Sequence, residues 1–154
     1  MHAALSRLGY VAGGADTLID AVLQVVGATG AVLMPSFPMT GSGHEFLGRG
    51  EPLDVLHSPS RVGLVTEVFR SRPDVSRSLH PTNPVTGWGA RAPALLAGHD
   101  RSPTPFGANT PCGRLAQLDD SYILMVETHV HSFLHHLQER VGMPTLFLPG
   151  ARTA

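Results

Sequence analysis

The sequence has no lysine, a single cysteine and no long apolar run. Lys and Arg together number 11, all of them arginine, against 12 acidic residues, and the net charge of −1 argues against non-specific binding to nucleic acid or an anionic membrane. Cys112 alone cannot form a disulfide within the chain, which fits a reducing compartment. No segment approaches the roughly 20 apolar residues of a membrane-spanning helix, and the N-terminus lacks a signal-peptide pattern. These absences predict a cytoplasmic protein without a membrane or nucleic-acid partner.

The composition is that of one globular domain. The 154 residues are 42% hydrophobic and 15% charged, which is enough for one core and too short for two. The 17 glycines and 13 prolines concentrate between short elements, so we expect many loops.

Apolar periodicity predicts an alternation of helices and strands. Helices are predicted at 15–27, 61–71, 90–97 and 132–141, strands at 30–35, 85–88, 121–126 and 145–148, and long loops at 36–60 and 98–112. Asp16 and Ser60 are the expected N-caps of the first two helices. The alternation predicts an α/β fold, a single layered domain with a mixed central sheet flanked by helices.

The segment Arg77-Ser78-Leu79-His80-Pro81 follows the second helix and carries the strongest chemical signal. Proline restricts the backbone of the residue before it, and an imidazole exchanges protons near neutral pH. From the residues alone, however, His80 is better explained as a partly buried turn histidine.

Further motifs accompany this segment in a fixed order. They are Leu8-Gly9-Tyr10-Val11 with Gly13-Gly14-Ala15, Met34-Pro35-Ser36-Phe37, Asp54 before Ser58-Pro59-Ser60, and Phe106-Gly107-Ala108-Asn109-Thr110-Pro111. Together they resemble the aminoglycoside 3-N-acetyltransferases that do not have the GNAT fold. The resemblance implies transfer of an acetyl group from acetyl-CoA to an amine of an aminoglycoside, and hence antibiotic resistance, without a metal.

The resemblance gives His80 the role of general base. A carboxylate usually orients such a histidine, and Asp54 and Glu127 are the two candidates, between which the sequence does not choose.

Coenzyme A carries phosphates, which favour helix N-termini and arginines. Ser60 and Gly63, at the predicted start of the second helix, and Arg77 are therefore the expected cofactor-binding residues. The alternatives are an ordinary helix cap for Ser60 and a surface position for Arg77. Glu45, Glu51 and His135 are the expected contacts of the cationic substrate.

Several positions depart from the family pattern. The turn His2-Ala3-Ala4-Leu5 lacks the family's serines, Pro84 stands where a hydroxyl residue follows the His-Pro pair, and His131 and Gln138 replace an asparagine and a glutamate. Family members are also longer, so residues 1–154 are expected to form one acetyltransferase-like domain that is incomplete at both ends. The alternative is a catalytically degenerate remnant that still binds coenzyme A. Without the family's upstream strand, one edge of the sheet is expected to be unpaired, which predicts self-association.

A histidine cluster near the end suggests a third interpretation. His129, His131, His135 and His136 lie within eight positions, and His131, His135 and Glu139 follow an i, i+4, i+8 spacing along a predicted helix. Such spacing can chelate a divalent metal. The family resemblance already accounts for His135 and predicts no metal.

Overall fold

The structure, a computed structural model, describes residues 1–50 and 52–143. Glu51 and the strand predicted at 145–148 lie outside the described residues. The strands are β1 (His2–Ala3), β2 (Val32–Pro35), β3 (Val75–Arg77), β4 (Val85–Trp88) and β5 (Met125–Val126). The helices are α1 (Gly14–Val26), α2 (Gly43–Gly48), α3 (Leu64–Arg70), α4 (Ala92–Leu96), α5 (Pro111–Leu115) and α6 (Phe133–Arg140), with 3-10 turns at Leu5–Arg7 and His99–Arg101.

The strands pair in both directions. β1 and β5 are parallel, with His2 opposite Met125, whereas β2, β4 and β3 form an antiparallel sheet in that order. The backbone nitrogen of Met1 donates to the Leu33 carbonyl oxygen at 2.7 Å and connects the two sheets. The α/β fold with helices packed around strands of both orientations is confirmed, and its parallel and antiparallel pairs belong to two adjoining sheets.

Strand β2 separates two apolar clusters, because alternate side chains of a strand point to opposite faces. Val32 and Met34 pack with α1 and α3, in a cluster that also contains Ile19, Leu23, Val65 and Phe69. Leu33 faces the other way, into a cluster with Val85, Ala92, Leu95 and Leu96. Helical periodicity predicts an inward position for Ile19, Leu23, Val65 and Phe69, and their burial is confirmed. It predicts the same for Val26 and Leu64, which are exposed.

Both predicted helix caps are wrong. Gly13 precedes α1 with a φ of 77°, a left-handed conformation that glycine adopts without strain, and Asp16 instead pairs with Arg72 at 2.8 Å. Helix α3 begins at Leu64 after Gly63, three residues later than predicted. Ser60 lies upstream, where its backbone N–H donates to Glu67 Oε2 at 2.5 Å.

The predicted loops contain more regular structure than expected. Helix α2 lies within 36–60 and begins with a capping box, in which Ser42 Oγ accepts from the Glu45 N–H and the Glu45 carboxylate accepts from the Ser42 N–H. Helix α5 begins in the second predicted loop, with Thr110 as its cap and Pro111 in its first turn. Strand β3 is also absent from the prediction. Within the described residues, no helix is both long and apolar enough to span a membrane.

Candidate active site

A cleft of about 600 Å³ opens between the N-terminal turn and the start of α3. Its walls include Ala4, Leu5, Tyr10, Gly63 and Leu64. The loop that closes it turns at Gly9, Gly13 and Gly14, which all have positive φ. This surface is called the first cleft below, and Gly63 is the one predicted cofactor residue in its wall.

A second cleft of about 250 Å³ adjoins the first. Three residues, Ala3, Val62 and Thr128, line both. The second cleft additionally contains the imidazoles of His2 and His131, whose ring centroids are 6.2 Å apart in an edge-to-face arrangement. Two ligands bound in the two clefts would therefore meet at the shared wall.

Glu127 forms the turn from β5 to this shared wall. Its φ of 52° is positive, which among the described non-glycine residues occurs at Glu127 alone. Such a conformation is strained for a residue with a Cβ. The side chain is exposed, and no hydrogen bond joins it to His80 within the described part of the chain. The geometry thus gives Glu127 a position beside Thr128, without an orienting contact to the predicted base.

His80 lies in a separate polar cluster of buried or half-buried groups. Its Nδ1 accepts hydrogen bonds from the backbone N–H groups of Thr82 at 3.3 Å and Asn83 at 3.1 Å. The ring lies against that of His99, with centroids 4.6 Å apart and planes inclined by 33°. Burial, with a smaller contribution from His99, lowers the pKa of His80 to about 4. The ring is therefore uncharged at neutral pH, with its proton on Nε2.

The neighbouring His99 has a defined tautomer as well. Its Nε2 lies 3.1 Å from the Pro105 carbonyl oxygen, which can only accept, so Nε2 carries the proton. Its Nδ1 then accepts from the Ser78 hydroxyl at 2.9 Å, while that hydroxyl accepts from the Val85 N–H at 2.8 Å. Burial is the main cause of the lowered pKa of His99. Both ring nitrogens of His99 therefore have protein partners, whereas the hydrogen bonds of His80 within the described residues engage Nδ1 only.

Neither candidate carboxylate orients His80 in this structure. Asp54 is exposed and accepts from the His57 ring at 2.8 Å and from the backbone N–H of Leu56 and of His57. The hydrogen bonds from His57 are the main cause of its lowered pKa. Asp54 therefore closes a local turn.

Arg77 joins three segments through its guanidinium. Nε donates to Ser36 Oγ at 3.0 Å, Nη2 donates to the Ser36 carbonyl oxygen, and Nη1 donates to the carbonyl oxygens of Val55 at 3.3 Å and Ser58 at 2.6 Å. Burial lowers its pKa to about 10, a value at which the group keeps its charge at neutral pH. Four of the five guanidinium N–H groups therefore have protein acceptors, which the surface alternative did not predict.

Ser60 likewise has partners within the protein. Its hydroxyl lies 2.8 Å from Thr66 Oγ1, which donates to the Gly63 carbonyl oxygen at 2.8 Å. Glu67 accepts from the Ser60 N–H and forms a two-point ion pair with Arg70, and the Arg70 hydrogen bond is the main cause of the lowered pKa of Glu67. These bonds fix the chain that leads into the first cleft.

The predicted substrate contacts do not converge. Glu45 completes the capping box of α2, and Glu51 lies outside the described residues. His135 is exposed on α6, where Nδ1 lies 2.9 Å from Gln138 Oε1 and the ring is 5.0 Å from that of Phe106.

The side chains of the histidine cluster contact different partners. His136 is buried with Nδ1 on the Phe106 carbonyl oxygen at 2.6 Å, Glu139 accepts from the Thr104 hydroxyl at 2.7 Å, and His131 faces His2. Across residues 1–50 and 52–143, no three His, Cys, Asp or Glu side chains form a group that could hold a metal ion. The helical spacing that suggested chelation does not bring these side chains together.

Comparison with known proteins gives the family. The family model described as aminoglycoside 3-N-acetyltransferase matches residues 1–152. The chain belongs to the aminoglycoside 3-N-acetyltransferase family. Among curated relatives, aminoglycoside N(3)-acetyltransferase IX of Micromonospora chalcea is 30% identical over 89% of this chain and 53% of its own length. The aminoglycoside N(3')-acetyltransferase-like protein YokD of Bacillus subtilis is 31% identical over 82% of this chain and 52% of its own length.

Solved structures of the family have the same fold. AAC-IIIb in a binary complex with CoASH superposes with a TM-score of 0.76 at 28% identity, over 90% of this chain and 56% of that one. AAC-VIa bound to sisomicin superposes with a TM-score of 0.63 at 28% identity, over 75% of this chain and 47% of that one. The chain thus spans about half the length of the relatives that it matches.

Three cleft residues are missing from the predicted site. His2, Thr128 and His131 meet there because β1 and β5 pair in parallel and both strands end at the same edge. The sequence identifies His2 as part of a turn without serines, and His131 as the replacement of a family asparagine and as a candidate metal ligand. Their separation in sequence left no local signal that they share one surface.

Proposed function

We propose that this chain is an acetyl-CoA-dependent N-acetyltransferase that acts on an amine of an aminoglycoside. The observation that carries the proposal is the pair of adjoining clefts with a common wall at Ala3, Val62 and Thr128, in a chain whose fold matches a CoASH-bound relative. Acetyl-CoA would occupy the first cleft, with its thioester at the common wall. The amine would approach from the second cleft.

The reaction depends on the alignment of its two substrates more than on covalent catalysis by the protein. The amine nitrogen attacks the thioester carbon, a tetrahedral oxyanion forms, and its collapse breaks the C–S bond. One amine proton must leave during this sequence, and the products are an amide and the free thiol of coenzyme A. Because the amide is uncharged, the product loses one positive charge and with it part of its attraction to RNA phosphates.

His80 as general base stays a prediction, with a structural condition attached. A base needs a free lone pair, and the Nδ1 lone pair of His80 already accepts from two backbone N–H groups. The ring would have to exchange these partners before it accepted a proton from the amine.

The three residues predicted to bind the cofactor are not equally available for that role. Gly63 lines the first cleft, whereas Ser60 and Arg77 act on the cofactor only if they give up protein partners. A role of Glu45 toward the cationic substrate would compete with its capping box, and the role of Glu51 stays a prediction.

The first test is a free-thiol assay with acetyl-CoA and sisomicin, gentamicin or apramycin, accompanied by calorimetry with coenzyme A. A cleft-blocking variant, Gly63→Leu, has room at its Cβ and an extended backbone with φ of 161°, so the fold should tolerate it. The matched control is Gly48→Leu, which also has an open Cβ position but lies in α2, outside the walls of both clefts.

We expect Gly63→Leu to weaken coenzyme A binding at least tenfold and Gly48→Leu to leave it unchanged. Binding without thiol release by the parent would identify the alternative, a remnant that holds the cofactor. Equal binding by both variants would remove the cofactor from the first cleft.

A further inference from the structure

The second cleft contains a histidine that the predicted mechanism does not use. His131 lies between β5 and α6 in the chain and lines the cleft together with Val62 and Thr66. Its Nδ1 is buried and has no hydrogen-bond partner among the described residues. His131 is thus an imidazole beside the common wall. Its Nδ1 is enclosed by protein, and no group in the described part of the chain donates to it or accepts from it.

The buried Nδ1 selects one of the two neutral tautomers. With hydrogen on Nδ1, the ring would bury an N–H without an acceptor, which native structures rarely tolerate. With hydrogen on Nε2, the buried nitrogen carries only a lone pair. The second nitrogen is then an N–H donor, and His131 is one of the residues that line the second cleft.

The surroundings of this donor have little competing charge. The neighbouring His2 ring is uncharged at neutral pH, because burial, the nearby terminal amine and His131 lower its pKa to about 4. Ala3, Val62 and Val130 contribute apolar surface. The other polar side-chain groups of the lining are the hydroxyls of Thr66, Thr128 and Ser132. A hydrogen bond is electrostatically stronger in such partly desolvated surroundings than in water.

We infer that His131 is a catalytic hydrogen-bond donor, whose Nε2–H binds the acyl oxygen of the thioester at the wall shared by the two clefts. This inference rests on the proposed function and names an oxyanion-binding residue for it. The amine, after losing one proton to solvent, forms the new C–N bond, and the C=O electrons move to the oxygen that faces His131. Collapse re-forms C=O and breaks C–S. One of the two protons on the cationic nitrogen passes to the thiolate sulfur, and the other stays as the amide N–H. His131 keeps its proton throughout.

The test compares two substitutions with a control. His131→Ala removes the donor, and His131→Asn keeps an N–H donor on a shorter side chain. His129→Ala is the matched control, since His129 is exposed two positions earlier and lines neither cleft. For each protein we would measure kcat and KM for acetyl-CoA and for sisomicin, coenzyme A affinity by calorimetry, and the urea midpoint.

A donor acts in the transition state, so the effect should fall on kcat. We expect His131→Ala to lower kcat by about 100- to 1,000-fold, the usual loss for one oxyanion donor, with coenzyme A affinity and the urea midpoint unchanged. His131→Asn should recover most of that loss, and His129→Ala should retain parental kcat. A long-range proton–nitrogen NMR spectrum of the parent should show hydrogen on Nε2 of His131.

Each contrary result overturns the inference. It fails if His131→Ala keeps parental kcat, if Asn restores nothing, or if the spectrum shows hydrogen on Nδ1. If the parent binds coenzyme A but transfers no acetyl group, the proposed function and the inference fail together. If the parent turns over and His131→Ala does as well, the inference alone fails.

Discussion

Arg77 Nη1 donates to the Ser58 carbonyl oxygen across 2.6 Å, and this bond joins strand β3 to the loop before α3. Further guanidinium bonds reach Val55 and both the hydroxyl and the carbonyl oxygen of Ser36. One half-buried cation therefore holds the loop, strand β3 and the end of β2 in one arrangement.

The first prediction follows from this contact. Arg77→Ala should lower the free energy of unfolding by about 2–4 kcal/mol, because it leaves partly buried carbonyl oxygens without donors. Urea denaturation measures the loss, and Arg140→Ala, at an exposed site in the last turn of α6, is the control. The sequence-based alternative is weaker coenzyme A binding at unchanged stability, which calorimetry on the folded variant would detect.

A second prediction concerns turnover and His80. If His80 is the general base, His80→Ala should lower kcat by about two to four orders of magnitude with the fold intact. His80→Asn separates the possible roles, because its side-chain oxygen accepts from the N–H groups of Thr82 and Asn83 but cannot act as a base. Parental kcat in the Asn variant would restrict His80 to holding that turn.

The third prediction concerns acid. His80 has its pKa lowered to about 4 in the folded chain, against 6.5 for a free histidine. Between these values the unfolded chain binds a proton that the folded chain does not, so stability is complete above pH 6.5 and falls as the pH falls toward 4. His2 contributes in the same window and direction.

Urea midpoints at pH 7, 5.5 and 4.5 measure this loss. The decline should be shallower in His80→Asn than in the parent, because an asparagine cannot take up the proton. Parallel curves for the two proteins would show that the His80 ring titrates normally in the folded chain.

The fourth prediction concerns the strained turn at Glu127. Glu127→Gly should stabilise the chain by up to about 1 kcal/mol, because glycine adopts the φ of 52° without a Cβ clash. Asp119→Gly, at an exposed residue without positive φ, should instead be neutral or destabilising. Thermal melting of both variants checks the difference.

The same position also tests the catalytic prediction for Glu127. Glu127→Gln keeps the side-chain shape and removes the charge, so a loss of kcat there, with unchanged melting, would support a carboxylate function. Retained kcat would show that the Glu127 carboxylate has no catalytic role and that the residue only forms the turn.

Self-association and a cytoplasmic location stay predictions. Within the described residues the sheet of β1 and β5 has two strands, so each has one edge without a strand neighbour. Sedimentation velocity over a range of concentrations would test the first.

Local sequence determined the core and the family. The helical repeat of Ile19 and Leu23, and that of Val65 and Phe69, is a short-range property, and all four side chains are buried where it predicts. The ordered motifs were sufficient to predict the family, which the comparison confirms. Local capping signals at Ser42-x-x-Glu45 and Thr110-Pro111 were present too, but the high glycine and proline content led to loop predictions there.

The tertiary structure decided which partner each polar side chain has. Arg77 bonds to Ser36, 41 positions away, and His136 bonds to Phe106, 30 positions away, while the adjacent His135 stays exposed. A residue's type gives the donors and acceptors that it carries, but packing decides which of them meet. For that reason the sequence identifies His80 as a residue that can exchange protons. The hydrogen bonds that its Nδ1 accepts, and the contact between His2 and His131, depend instead on how the strands and loops pack.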